Sequence, residues 1–174
     1  MVALPWLVLA GAACQPAGTV RAHWTSIDTA LGSGDLRFPM HATWCAARGR
    51  LTLLGFAGDT GVGLLVRTVK LEPGKFDVSD TVAARSPGAG IAFRLATRTN
   101  LFNLSGDSGG VALTSVTGTH VDGRFVGWFG RAEGGPVLLT GSFAQVQVTA
   151  DTVRCESSMP NPPAAPVSAD SGVT

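Results

Sequence analysis

Apolar positions in this chain come in short runs that alternate with polar ones and break at Gly, Asp or Ser at roughly ten-residue intervals. Phe38–Cys45, Arg50–Phe56, Gly61–Val69, Pro73–Val78, Ile91–Thr97, Val111–Val116, Gly123–Phe129 and Pro136–Ala150 read as strands, the fourth opening on a Pro-Gly turn. In the last of them Ala144, Val146 and Val148 alternate with Phe143, Gln145 and Gln147, the period of a half-buried strand. No long stretch repeats with helical period. Thr25 and Asp28 have capping-box spacing and predict one helical turn over Thr25–Leu31, ended by Gly32 and Gly34. The expected fold is therefore all-β, an antiparallel β-sandwich or open barrel of about eight strands.

Composition agrees with short strands and tight turns. Charged residues are 14% of the chain, hydrophobic residues 45%, and there are 23 glycines. The formal net charge is +1 and no run of lysines or arginines occurs, so a basic patch for nucleic acid or anionic lipid finds no support in the linear sequence. Four segments are expected: an export signal or membrane anchor over 1–14, a tether over 15–21, a β domain over 22–155, and a tail rich in Pro, Ser and Ala over 156–174, disordered or extended and available to a partner.

The apolar run from Val2 to Ala13 is shorter than the roughly 18–20 residues of a membrane span. It matches the core of an export signal, about 7–15 residues. Leu9-Ala10-Gly11-Ala12-Ala13-Cys14 resembles a bacterial lipoprotein signal, which implies acylation of Cys14 and a mature chain beginning there. It departs from that pattern at Gly11, where leucine is usual, and cleavage after Ala12 or Ala13 is the alternative. With Cys14 taken by lipid, Cys45 and Cys155 remain, and an oxidising compartment would join them. Two separate buried thiols are the other reading.

Phe38–Trp44, Pro73-Gly74-x-Phe76, Gly110-Val111-x-Leu113, Gly123-x-Phe125 and Leu139-Thr140-Gly141-x-Phe143 together resemble small β-rich bacterial envelope lipoproteins of unknown function. The resemblance spans about residues 36–150 and implies an antiparallel sandwich or open barrel, with no activity attached. With the N-terminal signal and the cysteine count, the expected location is the bacterial envelope, lipid-anchored on the periplasmic or outer face of a membrane.

One segment carries the look of chemistry. Gly106-Asp107-Ser108-Gly109-Gly110 resembles the nucleophile loop of chymotrypsin-like serine proteases, where backbone amides bind the oxyanion. That family would make Ser108 the nucleophile and His41 the base, with Asp59, Asp77 or Asp80 as the third member. The resemblance fails around His41, because Cys45 stands four positions later rather than next to it. Only 108 − 41 = 67 positions separate His41 from Ser108, in which six strands of about five residues and their connections barely fit, so a two-barrel arrangement is cramped. Turn chemistry alone selects the same composition.

The remaining candidates are plainer. His120 and Asp122 share a strand face, but His23 and His41 are scattered and the cysteines lack zinc-ligand spacing, so no metal or other cofactor is expected. Trp44 and Trp128 are expected in the core. Trp24 is the candidate contact to a partner or to the membrane interface. The function expected from these residues is a non-catalytic structural or interaction module, an extrinsic accessory subunit on a larger respiratory, photosynthetic or transport complex. A lipocalin-like carrier of a small apolar ligand and a serine hydrolase are the alternatives.

Overall fold

A computed structural model describes residues 18–79, 86–130, 135–150 and 155. The expected signal with Cys14, the tail over 156–174 and Asp80 lie outside these residues. The chain is all-β. Ten strands follow one another: β1 (Thr19–Ser26), β2 (Ser33–Cys45), β3 (Arg50–Ala57), β4 (Thr60–Arg67), β5 (Gly74–Ser79), β6 (Gly88–Ala96), β7 (Leu101–Ser105), β8 (Ser108–Thr117), β9 (His120–Phe129) and β10 (Val137–Ala150). A 3₁₀ turn, Ala46–Arg48, joins β2 to β3.

The strands form one sheet in the order β4-β3-β2-β1-β10-β9-β8-β5-β6-β7. It curls until β4 pairs with β6 over Gly61–Arg67, and a parallel bridge at Val78–Ala89 joins β5 to β6. The pairing therefore runs as a barrel-like circuit, in keeping with the expected all-β sandwich or barrel. Two of the ten strands are absent from the sequence reading. β1 takes in the last residues of the expected tether, with Val20 and Ala22 turned inward and Arg21 and His23 outward. β7 is only five residues long. The expected helical turn is shorter than its span: Thr25 and Ser26 belong to β1, and a single hydrogen-bonded turn follows. In it Asp28 O accepts the Leu31 and Gly32 N–H, Ser26 Oγ accepts the Asp28 N–H, Asp28 Oδ1 accepts the Ala30 N–H, and Gly32 closes it at φ 58°.

The inward positions make one continuous apolar core, in which Phe93, Phe129 and Phe143 are almost wholly buried. Each such ring removed from water stabilises the fold by roughly 1.5–3 kcal/mol. The rings need room, and glycines on neighbouring strands supply it. Gly123 faces Phe143 and Gly141 faces Phe125 across the β9–β10 pair. A Cβ at Gly123 would lie 2.3 Å from the Phe143 ring, and one at Gly141 would lie 2.4 Å from Phe125. The two G-x-F steps of the sequence are thus a reciprocal packing device, each ring lying across the other strand's glycine.

The strict alternation read over Phe143–Val148 breaks at Gln145. There φ is 53° and the register with β9 slips, so that Phe143 and Val146 both point inward although an odd number of positions separates them. Asp122 Oδ1 accepts the Gln145 N–H at 2.5 Å and holds the bulge. Asp122→Ala is expected to lower the unfolding free energy by about 1 kcal/mol in urea titration. An unchanged midpoint would show that the bulge holds without that carboxylate.

Cys45, at the end of β2, is bonded to Cys155, with Cα atoms 5.7 Å apart. The bond extends a contact already made by the sheet, since the end of β10 pairs in parallel with β2 from Val148–Ala42 to Ala150–Trp44.

Candidate functional site

Ser108 and His41 are not brought together. Ser108 opens β8 and is in register, through Trp128, Leu138 and Thr25, with Ser33 on β2, whereas His41 is exposed eight positions further along β2. Eight strand residues amount to about 26 Å. One of the two amides that an oxyanion hole of that family would need, that of Gly106, is also engaged, as is the Asp107 amide beside it. Gly106 N–H donates to Ile91 O and Asp107 N–H to Trp128 O, both at 2.8 Å. Asp107 Oδ2 accepts the Gly130 N–H, and Ser108 to Gly110 run between β5 and β9 as ordinary ladder residues. Of the expected third members, Asp59 binds Arg94 at 3.4 Å and Asp77 lies on β5, neither against His41. The segment is a strand entrance fixed on three sides.

Trp24 lies in β1, half-buried, with Nε1–H donating to Leu31 O at 3.1 Å and its ring centroid 6.1 Å from that of Phe93. The ring covers Gly34 on β2 and so helps close one end of the barrel. Trp128, expected inside, is 47% exposed on the outer face of β9. His120 Nδ1 is bonded to Thr119 Oγ1, and no third possible metal ligand gathers with His120 and Asp122 among the described residues.

The surface that departs most from a solvated sheet face lies on β3, β4 and β6. Alternation should place polar residues there, yet Leu54 and Phe56 are exposed by 46% and 50%. Across the ladder, Leu54 faces Gly63, Gly63 faces Ala92, and Ala92 faces Ser105 on β7. The small residues leave two shallow grooves of about 410 and 290 Å³ that share Leu54, Gly63, Ala92 and Ser105. No charged side chain lines the first groove, and Arg94 alone edges the second.

Among the described residues β7 pairs on one side only, so this apolar strip runs out to a free sheet edge where Leu101 is 48% exposed. The sequence carried a signal for it. Leu53-Leu54 and Leu64-Leu65 put apolar residues on both faces of β3 and β4, the composition of strands covered on both sides, while the second face here is bare. Comparison with protein-family models, with curated proteins and with solved structures returns no match, and the site stands on its own chemistry.

Proposed function

We propose that this chain is a non-catalytic interaction module of the bacterial envelope, an extrinsic accessory subunit held at a membrane surface by its N-terminus and docked on a larger respiratory, photosynthetic or transport complex. The observation that carries the reading is the bare apolar strip Leu54–Gly63–Ala92 with Phe56 beside it, ending at the one-sided strand β7. Its occupant is an apolar segment of a membrane-complex subunit, laid along the strip with its backbone offered to β7. Large side chains entering the glycine-floored grooves would bury Leu54 and Phe56, and the absence of charged side chains from the larger groove keeps the desolvation cost of docking low there.

The other two readings draw less support. A carrier needs an interior volume, and the inward space is filled by rings such as Phe93, Phe129 and Phe143. A hydrolase of the expected type needs His41 beside Ser108 and unoccupied amides at Gly106–Ser108.

The test is native mass spectrometry of protein released from its own membranes in mild detergent. Wild type is expected inside a large assembly, while Leu54→Asp/Phe56→Asp runs alone with an unchanged melting temperature, since both side chains are half in water already. Wild type running alone, or a variant that still co-migrates, would sink the docking reading.

A further inference from the structure

The side of the barrel away from the apolar strip carries a feature that depends on register. Across the ladder, Lys75 on β5 faces Ala112 on β8, which faces Arg124 on β9. Arg124 faces Ser142 on β10, Ser142 faces Arg21 on β1, and Arg21 faces Arg37 on β2. Four cations from four separate strands thus stand in one line around the barrel, all exposed, with small residues between them. None makes an ion pair or a side-chain hydrogen bond among the described residues. Arg21 and Arg37 are directly opposite each other, a like-charge pairing that costs stability unless an anion lies between them.

One residue pair further along the strands runs a second line: Asp77, Gly110, Val126, Thr140, His23 and Asp35. Between the two lines lies a shallow trench. One half, about 450 Å³, is floored by the backbone at Phe76, Val111 and Phe125; the other, about 480 Å³, by that at Ala22 and Leu36; Thr140 and Gly141 belong to both. Its first wall is cationic. Its second carries acceptors, with Asp35 oriented by His23 Nδ1 at 3.0 Å and His23 Nε2 3.2 Å from Thr25 Oγ1. Asp122, behind Arg124, is engaged by the Gln145 N–H.

We propose that this trench binds an acidic polysaccharide, a chain of sugars bearing carboxylates at intervals. Arg124 and Arg21, two strand steps or about 9.6 Å apart, take successive carboxylates by charge-assisted and bidentate hydrogen bonds. Asp77, Thr140 and Asp35 on the opposite wall accept from sugar hydroxyls, a role that a purely anionic polymer has no donors to fill. The shape points the same way. The cation line crosses six neighbouring strands of the circuit, so its members diverge around a convex body; a flat membrane meets only some of them, whereas a thin flexible chain follows all. A nucleic acid is held best by aromatic platforms for its bases, and no exposed phenylalanine or tryptophan lines the trench.

The experiment is calorimetric titration of the full chain with oligogalacturonate, beside a neutral malto-oligosaccharide of equal length, phosphatidylglycerol vesicles and oligo-dT. Oligogalacturonate is expected to bind, more weakly as salt rises, and the neutral sugar not to bind. Arg21→Gln/Arg124→Gln should weaken the affinity by roughly tenfold or more, while Arg98→Gln, in the β6–β7 turn, leaves it unchanged. No binding, salt-independent binding by wild type, equal binding by the double variant at an unchanged melting temperature, or tighter binding of vesicles or oligo-dT would each overturn the proposal. The salt dependence needs no variant, so the test survives should the double variant fold poorly.

Discussion

Reduction of the Cys45–Cys155 bond is expected to lower the melting temperature by roughly 10–20 °C, the scale for a domain of this size losing several kcal/mol. The bond closes a loop of 110 positions. Cross-linking a loop of that length restricts the unfolded chain by about 4–5 kcal/mol on the chain-entropy model. The loop spans nearly the whole barrel, from the end of β2 to a residue just beyond β10. Both cysteines are buried, at 4% and 7% exposure, so the reduced thiols would remain in the core and little else would change. The loss should therefore fall on the unfolded-state side, with the folded signal of the reduced protein intact at low temperature. Differential scanning calorimetry with and without a thiol reductant measures it, and Cys45→Ala/Cys155→Ala should melt close to the reduced protein. A shift of only a degree or two would mean that β10 and β2 are held together by their own ladder and core.

How much of this was legible in the sequence follows from the range over which each feature is written. Eight strands and the all-β class came from alternation inside single segments, because one buried face imposes a period of two on its own residues. β1 escaped because Ala22 is a small inward residue and Arg21, His23 and Thr25 make the segment look like a tether. β7 escaped because Leu-Phe-Asn-Leu-Ser is too short to display a period. The bulge at Gln145 was invisible for a different reason: it is held by Asp122, a residue of the preceding strand. The cation line is the extreme case. Lys75, Arg124, Arg21 and Arg37 are far apart in the chain, and only the pairing register of six strands puts them side by side. The absence of any basic run in the sequence was a true observation, but strands assemble patches sideways, across chains of residues that no linear window contains.

The same register divides the outside of the barrel into two surfaces of different chemistry. Leu54, Phe56, Gly63 and Ala92 make an apolar strip on β3, β4 and β6 towards the free edge of β7, whereas the cation line and the acceptors facing it run across β5, β8, β9, β10, β1 and β2. An apolar partner and a charged polymer would then be held on separate faces without competing. The separation makes the two proposed binding experiments independent, since Leu54→Asp/Phe56→Asp should leave oligogalacturonate titration unchanged.

Gly109→Ala is expected to destabilise the domain by about 3 kcal/mol or more, whereas Ser108→Ala next to it should stay within about 0.5 kcal/mol of wild type. Gly109 has φ 130°, a conformation that side-chain-bearing residues rarely adopt, and a Cβ there would lie 2.0 Å from Val126 O and 3.0 Å from Gly127 Cα. Both obstacles are backbone atoms of β9, which is held on its other side by β10, so neither can move aside without unpairing a strand. Ser108, by contrast, is exposed at the mouth of β8 and has no side-chain partner among the described residues. The pair separates two reasons for the same five residues. A nucleophile loop puts its requirement on the serine and gives a stable protein when the serine is removed but an inactive one. A strand entrance puts its requirement on the glycine, through space and φ, and leaves the serine replaceable in every measurement. Chemical denaturation of the two variants reads this directly: equal midpoints for Gly109→Ala and wild type would mean that β8 enters the sheet along a different path from the one described, and the structural explanation of the Gly106–Gly110 segment would fall with it.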